Sequence, residues 1–349
     1  MKYSDVFSFE NLKEASRKCQ LGVRWKPSTQ KYAYNELMNI TSLYEKLQNK
    51  TYKAKGFYSF DINERGKVRH IKSLHITDRV VQKCFCDNCL TPLLVPKLIY
   101  DNGACLKNKG VHFTRKRLLA HLQKYYRHCG AEGYILVFDI KSYFDSIPHE
   151  LLKEKVNRYL EDTDLRALYS QLVDDCGDEV GLGLGSQISQ ISSVFYLNEL
   201  DHYVKEKLKI KYYGRYMDDA YLISPSKEHL KFCLTEIRKI CTKLKIRLSE
   251  NKTHIIKLSK GFTFMKREYR MLATGKIVVT VGRAAKTRER RKVKKMFKKG
   301  VANETIQESL TSWASSLLNT KSYHALQNMT NLFKKCEREY NNDSNKKRV

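Results

Sequence analysis

Two short β-forming runs, IKYYGRY and AYLIS, are separated only by Met217, Asp218 and Asp219. A spacer that short allows a β-hairpin and little else, so the chain carries two adjacent acids at the tip of paired strands. A third acid, Asp139, closes GYILVFDI, an apolar run rich in β-formers that reads as a buried strand. Acids at strand ends are seldom there for packing. An Asp-Asp pair alone in a turn is ordinarily solvated, because Asp suits turns. If the hairpin pairs beside the strand of Asp139, three carboxylates converge, and their repulsion must be offset by cations. Oxygen-only donors favour Mg²⁺, with Mn²⁺ as a substitute. Two such ions roughly 3.5 to 4 Å apart stabilise the attacking and leaving oxygens of an in-line phosphoryl transfer.

The charge balance indicates the partner. Against 37 Asp and Glu stand 66 Lys and Arg, a formal charge of +29 over 349 residues that also include 22 Tyr and 14 Phe. Such a chain suits a polyanion and stacks on bases, so nucleic acid is the expected partner. A hydrophobic content of 42% supplies a sizeable core and excludes a disordered tail protein; the length allows two or three subdomains. No run of about 18 apolar residues occurs and charge interrupts the N-terminus, so neither a membrane span nor a signal peptide is expected, and the location expected is cytoplasmic. The ten Cys are then reduced thiols. Cys84, Cys86 and Cys89 cluster within RVVQKCFCDNCLTPLL, but its spacing is helical and no second C-x-x-C pair follows, so buried free thiols are expected and not a zinc site.

Along the chain, the first sixty residues read as helical on Leu12, Leu37, Leu43, Tyr44 and Leu47. The turn ERGK then separates Phe60 and Ile62 from Val68 and Ile71, which reads as a hairpin. Helix is expected from Thr77 to Leu94, then a loop, IYDNGACLKNKG, and a basic helix from Arg115 to about His128. After the strand of Asp139 come helices from about Pro148 and Asp164, the loop GLGLGSQISQ, and the helix ISSVFYLNELDHYVKEKL. Beyond the acidic hairpin lie a helix from Glu228 to Leu244, a strand pair at IRLS and IIKL, and the β-like segment FTFMKREYRML. The composition shifts from Gly282 onward, a domain boundary is expected near residue 270, and NNDSNKKRV has too little apolar content to fold.

These motifs resemble a known family. Tyr216-Met217-Asp218-Asp219 resembles the Y-x-D-D signature of reverse transcriptases, and FDIKSYFDSIPH resembles the motif that supplies their first catalytic Asp. In the same order, HIKSLHITDRVVQ resembles their fingers motif, GLGLGSQISQ the loop before the palm helix, LSENKTHI the motif with a late Lys, and FTFMKREYR the primer-grip hairpin. The resemblance implies an α+β right-hand polymerase: fingers over 1–130 with a hairpin near 65 to 80, a palm of antiparallel sheet plus helices over 131–268, and a basic helical thumb over 269–349. It implies RNA-directed DNA polymerase activity, with template RNA, nascent DNA and dNTPs as partners, two Mg²⁺ ions, and a structured non-coding RNA and an accessory protein as further partners.

By that resemblance, Asp139, Asp218 and Asp219 are catalytic and hold the metal together with Ile140. Lys252 protonates the leaving pyrophosphate, or else is a surface lysine. Phe144, five residues after Asp139, abuts the sugar C2′ position; core packing is its other reading. Lys67, Arg69 and Arg79, with Leu184 and Gly185, are placed at the incoming nucleotide, and Tyr216, Met217 and Gln190 at the nucleic acid. Arg283, Lys286, Arg290, Arg291, Lys294 and Lys298 line one side of a thumb helix facing duplex phosphates, or else a solvated face. Leu184-Gly185 stands where Gln-Gly is usual, and Ser189-Gln190 where Ser-Pro is usual. That form resembles the reverse transcriptases of diversity-generating retroelements. Phage-defence enzymes are the rival within the class, and a non-catalytic RNA-binding scaffold the rival outside it.

Overall fold

The computed structural model describes residues 1–64, 67–177, 179–318 and 320–346, with the side chains of Glu64, Lys67, Arg69 and residues 341–346 outside the described part. The chain begins with α1 (Tyr3–Val6), α2 (Phe9–Gln20), α3 (Pro27–Tyr34) and α4 (Glu36–Gln48). Helical spacing buries Leu12, Leu43 and Leu47, whereas Leu37, read into the same stripe, is exposed. Strands β1 (Phe57–Glu64) and β2 (Lys67–Leu74) pair antiparallel, with Phe60 opposite Ile71 and Asn63 opposite Val68. This hairpin begins at Phe57 and ends at Leu74, so it overlaps the 65 to 80 expected for it but stops short of residue 80, where α5 (Ile76–Phe85) buries Val80, Val81, Cys84 and Phe85 as a helical stripe. A π-helical turn over Cys86–Leu90 and α6 (Thr91–Leu94) continue it. Cys84, Cys86 and Cys89 are buried and free. Burial pushes the Cys84 and Cys89 thiols up to about 12.

After α7 (Val111–Cys129) comes β3 (Tyr134–Phe138), whose residues Ile135, Leu136 and Phe138 are fully buried, as expected of an interior strand. Helices α8 (His149–Asn157), α9 (Thr163–Asp174), α10 (Gln187–Tyr196) and α11 (Asn198–His202) follow, then β4 (Tyr212–Tyr216), β5 (Asp219–Ser224), α12 (Lys227–Lys243) and β6 (His254–Lys257). The strands lie in one four-stranded sheet in the order β4-β5-β3-β6, so the acidic hairpin does sit beside the strand of Asp139. Two sequence expectations fail here. The segment IRLS is no partner of β6; Leu248 makes a single antiparallel bridge to Ile140 instead. And α10 starts at Gln187, inside the expected loop, because Ser186 caps it by accepting a hydrogen bond from the Ser189 amide at 3.3 Å.

One compact unit comprises Met1–Arg117, Val137–Leu222 and Glu228–His254, and contains all three acids. The second comprises Leu118–Leu136, Ile223–Lys227 and the chain from Ile255 onward. In the second unit β7 (Phe262–Phe264), β8 (Arg267–Met271) and β9 (Ile277–Thr280) form an antiparallel sheet. Helices α13 (Arg283–Lys298), α14 (Asn303–Ser316) and α15 (Tyr323–Lys346) share a core of Val293, Phe297, Ile306, Met329, Phe333 and Cys336. The end expected to be unfolded is helical through Lys346, as the last turns of α15.

Candidate active site

The acidic turn is built by packing that leaves no freedom behind it. Opposite Gly214 in β4, a Cβ would stand 2.7 Å from the Tyr221 hydroxyl, so glycine is what lets β4 and β5 close. Met217 takes φ +54°, left-handed backbone uncommon for a non-glycine residue, and such conformations persist where surroundings over-determine them. The surroundings are Arg215 and Asp201, both fully buried and paired at 2.6 Å. Arg215 also donates from Nη1 to the Met217 carbonyl at 2.8 Å and from Nη2 to the Val194 carbonyl at 2.9 Å. Tyr213 donates its hydroxyl to Asp201 at 2.6 Å. A buried arginine therefore ties the turn to the helices α10 and α11. On the outer edge of β4 lies the loop IYDNGA: the Arg215 amide donates to the Asp101 carbonyl at 3.2 Å and the Gly103 amide to the Arg215 carbonyl at 3.0 Å.

Asp139 leaves the buried end of β3 with 6% of its surface exposed. Its carbonyl accepts from the Ser249 amide and the Lys141 amide donates to the Arg247 carbonyl, both at 2.8 Å. These bonds turn the Ile140 carbonyl away from Leu248. They also carry the Glu250–Lys252 turn over the acid, so that Lys252 Nζ donates to Asp139 Oδ2 at 2.6 Å. IRLS is thus the arm that delivers Lys252 rather than a strand. Asp218 and Asp219 complete the cluster. Burial, then the charge of Asp139, raises the Asp218 carboxyl above its usual range, against a smaller pull from Lys252 and Arg215. Burial, then Asp218, then Asp139 with a hydrogen bond, pushes Asp219 up to about 7. Burial lowers the Lys252 ammonium, but its bond to Asp139 and the other two acids outweigh that and raise it.

Buried Asp139 and half-buried Asp218 and Asp219 repel one another and, among the described residues, carry one bonded lysine; they form an oxygen-only donor set short of positive charge, which fits a hard divalent cation. Among the described residues, no three His, Cys, Asp or Glu side chains are already closed around one ion position. The Lys252 ammonium occupies Asp139 instead.

The other expected residues divide. Arg79, Gly185 and Gln190 line one cavity of about 460 Å³ with Lys18, Lys83 and Gln187. Gly185 has φ +114° and a Cβ there would come within 3.1 Å of the Lys72 carbonyl; the Leu184 carbonyl in turn accepts from the Lys72 amide at 3.2 Å, so the loop is laced to β2. Phe144 is half-buried beside fully buried Tyr143, so the packing role belongs to Tyr143, whose hydroxyl donates to the Ser193 carbonyl at 2.5 Å. Tyr216 and Met217 are half-buried, and Gln190 lies exposed in the first turn of α10. The side chains of Lys67 and Arg69 lie outside the described residues. On α13, Arg283, Arg290, Arg291, Lys294 and Lys298 are exposed opposite buried Val293 and Phe297, while Lys286 is half-buried. Sequence reasoning missed Arg215 and Asp201. The signal was present: Leu197, Leu200, Asp201 and Val204 share a helical stripe, and Arg215 alternates inward with Tyr213.

Residues 53–274 match the sequence family described as reverse transcriptase (RNA-dependent DNA polymerase). Among solved structures, apo telomerase from Candida tropicalis, truncated from its C-terminal domain, is similar with a TM-score of 0.50 and 15% identity, over 65% of this chain and 55% of that one. Telomerase from Candida albicans in complex with a TWJ fragment of telomeric RNA aligns with a TM-score of 0.49 and 14% identity, over 89% of this chain and 58% of that one. The chain thus spans about half the length of these structures. No curated protein matches it significantly in sequence. With the family match, the first likeness gives the fold, which is that of a right-hand polymerase. Among the described residues, no helix is long and apolar enough to cross a membrane.

Proposed function

The chain belongs to the reverse transcriptase family of RNA-directed DNA polymerases, and from that premise we propose that Asp139, Asp218 and Asp219 form the centre that adds dNTPs to a primer 3′-OH on an RNA template. The observation that carries this reading is the convergence of the three carboxylates under Lys252, with two of them raised by burial and mutual repulsion. The three carboxylates and the Ile140 carbonyl would hold Mg²⁺, which when bound clamps the attacking and leaving oxygens of the in-line transfer. Arg215 keeps the turn in one conformation, so the acids need no rearrangement at the moment of reaction. Lys252, an ammonium held by Asp139, is poised to give a proton to pyrophosphate as it leaves. Arg79 and Gly185, in one cavity, receive the triphosphate. The exposed basic face of α13 meets backbone phosphates of the template-primer duplex. The test is extension of a DNA primer annealed to RNA by the purified chain with Mg²⁺ or Mn²⁺ and dNTPs. No extension with either ion would refute the reading.

Phe144 sets the sugar. Its half-buried ring, five residues beyond Asp139 in the chain, would close the C2′ position, so Phe144→Ala raises the use of ribonucleotides relative to deoxyribonucleotides in single-nucleotide assays. Unchanged discrimination in a folded variant returns Phe144 to packing. Leu184 offers the nascent pair only apolar contact. A hydrogen bond contributes about 0.5 to 1.5 kcal/mol, so Leu184→Gln lowers misincorporation by roughly two- to tenfold on a defined RNA. Identical error spectra at equal activity would remove Leu184 from that position.

The loop around Leu184 and Gln190 supports a setting in a diversity-generating retroelement, where relaxed copying of a template is useful. A template repeat and variable repeat beside the gene support it, and their absence from a stand-alone defence locus counts against it.

A further inference from the structure

We propose that His149 is a positioning residue for sugar selection: its imidazole clamps the turn that carries Phe144 to the loop that leads to Leu184 and Gly185. The segment from Phe144 to His149 and the segment from Glu179 to Leu182 run side by side. The Leu182 amide donates to the Phe144 carbonyl at 2.8 Å, the Gly181 amide to the Ile147 carbonyl at 2.9 Å and the His149 amide to the Glu179 carbonyl at 2.9 Å, with an antiparallel bridge between Pro148 and Val180. Those bonds join backbone to backbone and would serve any sequence. The side chain of His149 adds another: Nε2 lies 2.6 Å from the Gly181 carbonyl, and since a carbonyl only accepts, Nε2 carries the hydrogen. Gly181 takes φ +101°, and a Cβ there would stand 3.4 Å from the Asp145 carbonyl oxygen, so the loop passes directly against the turn.

Packing alone does not account for the ring. His149 is 2% exposed at the first residue of α8, and its Nδ1 is buried with no hydrogen-bond partner among the described residues. Asp174 Oδ1 stands 3.4 Å from that nitrogen, but Asp174 takes its bonds from Lys153 at 2.8 and 2.9 Å. A buried polar atom left unbonded weakens a fold, and an apolar side chain of like volume would avoid that cost. What the imidazole supplies and such a side chain does not is the donor to Gly181. Phe144 depends on it because its own turn is weakly held. The 3₁₀ turn Phe144–Ser146 has no side-chain cap, and the Phe144 ring meets Tyr143 edge-on at 5.9 Å. The far end of the loop is tied to β2, where the Lys72 amide donates to the Leu184 carbonyl at 3.2 Å. Without the clamp at Gly181, Phe144 is free to shift relative to the residues placed at the incoming nucleotide. The inference rests on the reading that Phe144 closes the C2′ position, which Phe144→Ala tests by itself.

The experiment measures kcat/KM for a dNTP and for the matching rNTP in single-nucleotide extension by the full chain. His149→Phe, which keeps a ring and loses the donor, is expected to lower the preference for dNTP about fivefold, as loss of one hydrogen bond allows. His149→Gln brings an amide N–H to the point that Nε2 occupies and is expected to keep the preference within about twofold of wild type. In Phe144→Ala, adding His149→Phe is expected to change the preference by less than about twofold, because the ring it positions is gone. A merely structural role would leave the two losses additive. Denaturant titrations establish that each variant is folded; if His149→Phe is not, His149→Asn, polar but too short to reach Gly181, takes its place. Unchanged preference in the folded variant, while Phe144→Ala lowers it, overturns the proposal. So does full additivity of the two losses, or a loss in His149→Gln as large as in His149→Phe. Unchanged preference in Phe144→Ala refutes the reading of Phe144 itself, and with it this inference.

Discussion

Asp218→Asn stops primer extension on RNA, with a loss in kcat on the order of a thousandfold or more, while the protein stays folded. The expectation follows from what the substitution removes. Asn keeps the shape and one oxygen of the side chain but not the charge that offsets cations at the transferring phosphoryl group. In the metal-free chain that charge is a liability, because burial and Asp139 both disfavour it and raise the carboxyl. Neutralising it therefore relieves repulsion, and the variant is expected to unfold at the same denaturant concentration as the wild type or a higher one. Single-turnover extension and a denaturant titration on the same preparation decide it. Near-normal extension by the variant would place the chemistry elsewhere, and a variant unfolded in buffer would mean that Asp218 is held by partners other than those seen.

The contrast between Asp218 and Arg215 shows what a sequence makes legible. Asp139, Asp218 and Asp219 stand out because acids interrupt or end β-forming runs, a break in pattern that needs no knowledge of the fold. Arg215 is one of 66 basic residues, and nothing in its type marks it off from a solvated one. Only its place on the inward face of β4, with Asp201 at the matching position of a helical stripe, separates the two, and that match crosses two elements whose packing is not readable from either alone. Lys252 was recognisable by motif, but its route to Asp139 was not. Ile246–Ser249 has the composition of a strand, yet makes one bridge, and tertiary context overrode propensity. The helix start at Gln187 was hidden for the opposite reason: glycines at 181, 183 and 185 suggested that the loop ran on, when Ser186 had already capped the helix. At the C-terminus the polar composition of residues 341–349 suggested fraying; 347–349 lie outside the described residues, but up to Lys346 a helix once nucleated by Met329, Phe333 and Cys336 propagates at little cost.

Breaking the Arg215–Asp201 pair separates stability from activity. Arg215→Met leaves the Asp201 carboxylate fully buried with Tyr213 as its one remaining side-chain donor among the described residues, and removing one partner of a buried pair costs about 3 to 5 kcal/mol. The single variant should unfold at a clearly lower denaturant concentration. Pairing it with Asp201→Leu removes the stranded charge, and well-packed apolar replacements of buried ion pairs are often neutral or stabilising, so the double variant should recover most of the lost stability. Activity should not follow. The bond from Arg215 Nη1 to the Met217 carbonyl is absent from both variants, and with it the restraint on a left-handed residue one step from Asp218. A folded double variant is therefore expected to show a fall in kcat of roughly tenfold or more, with little change in KM for dNTP, since the acids are displaced but the nucleotide cavity is intact. If the double variant regains activity along with stability, the pair serves packing alone. If Arg215→Met neither destabilises nor slows the enzyme, the turn is held by the strands and the buried arginine has no positioning role.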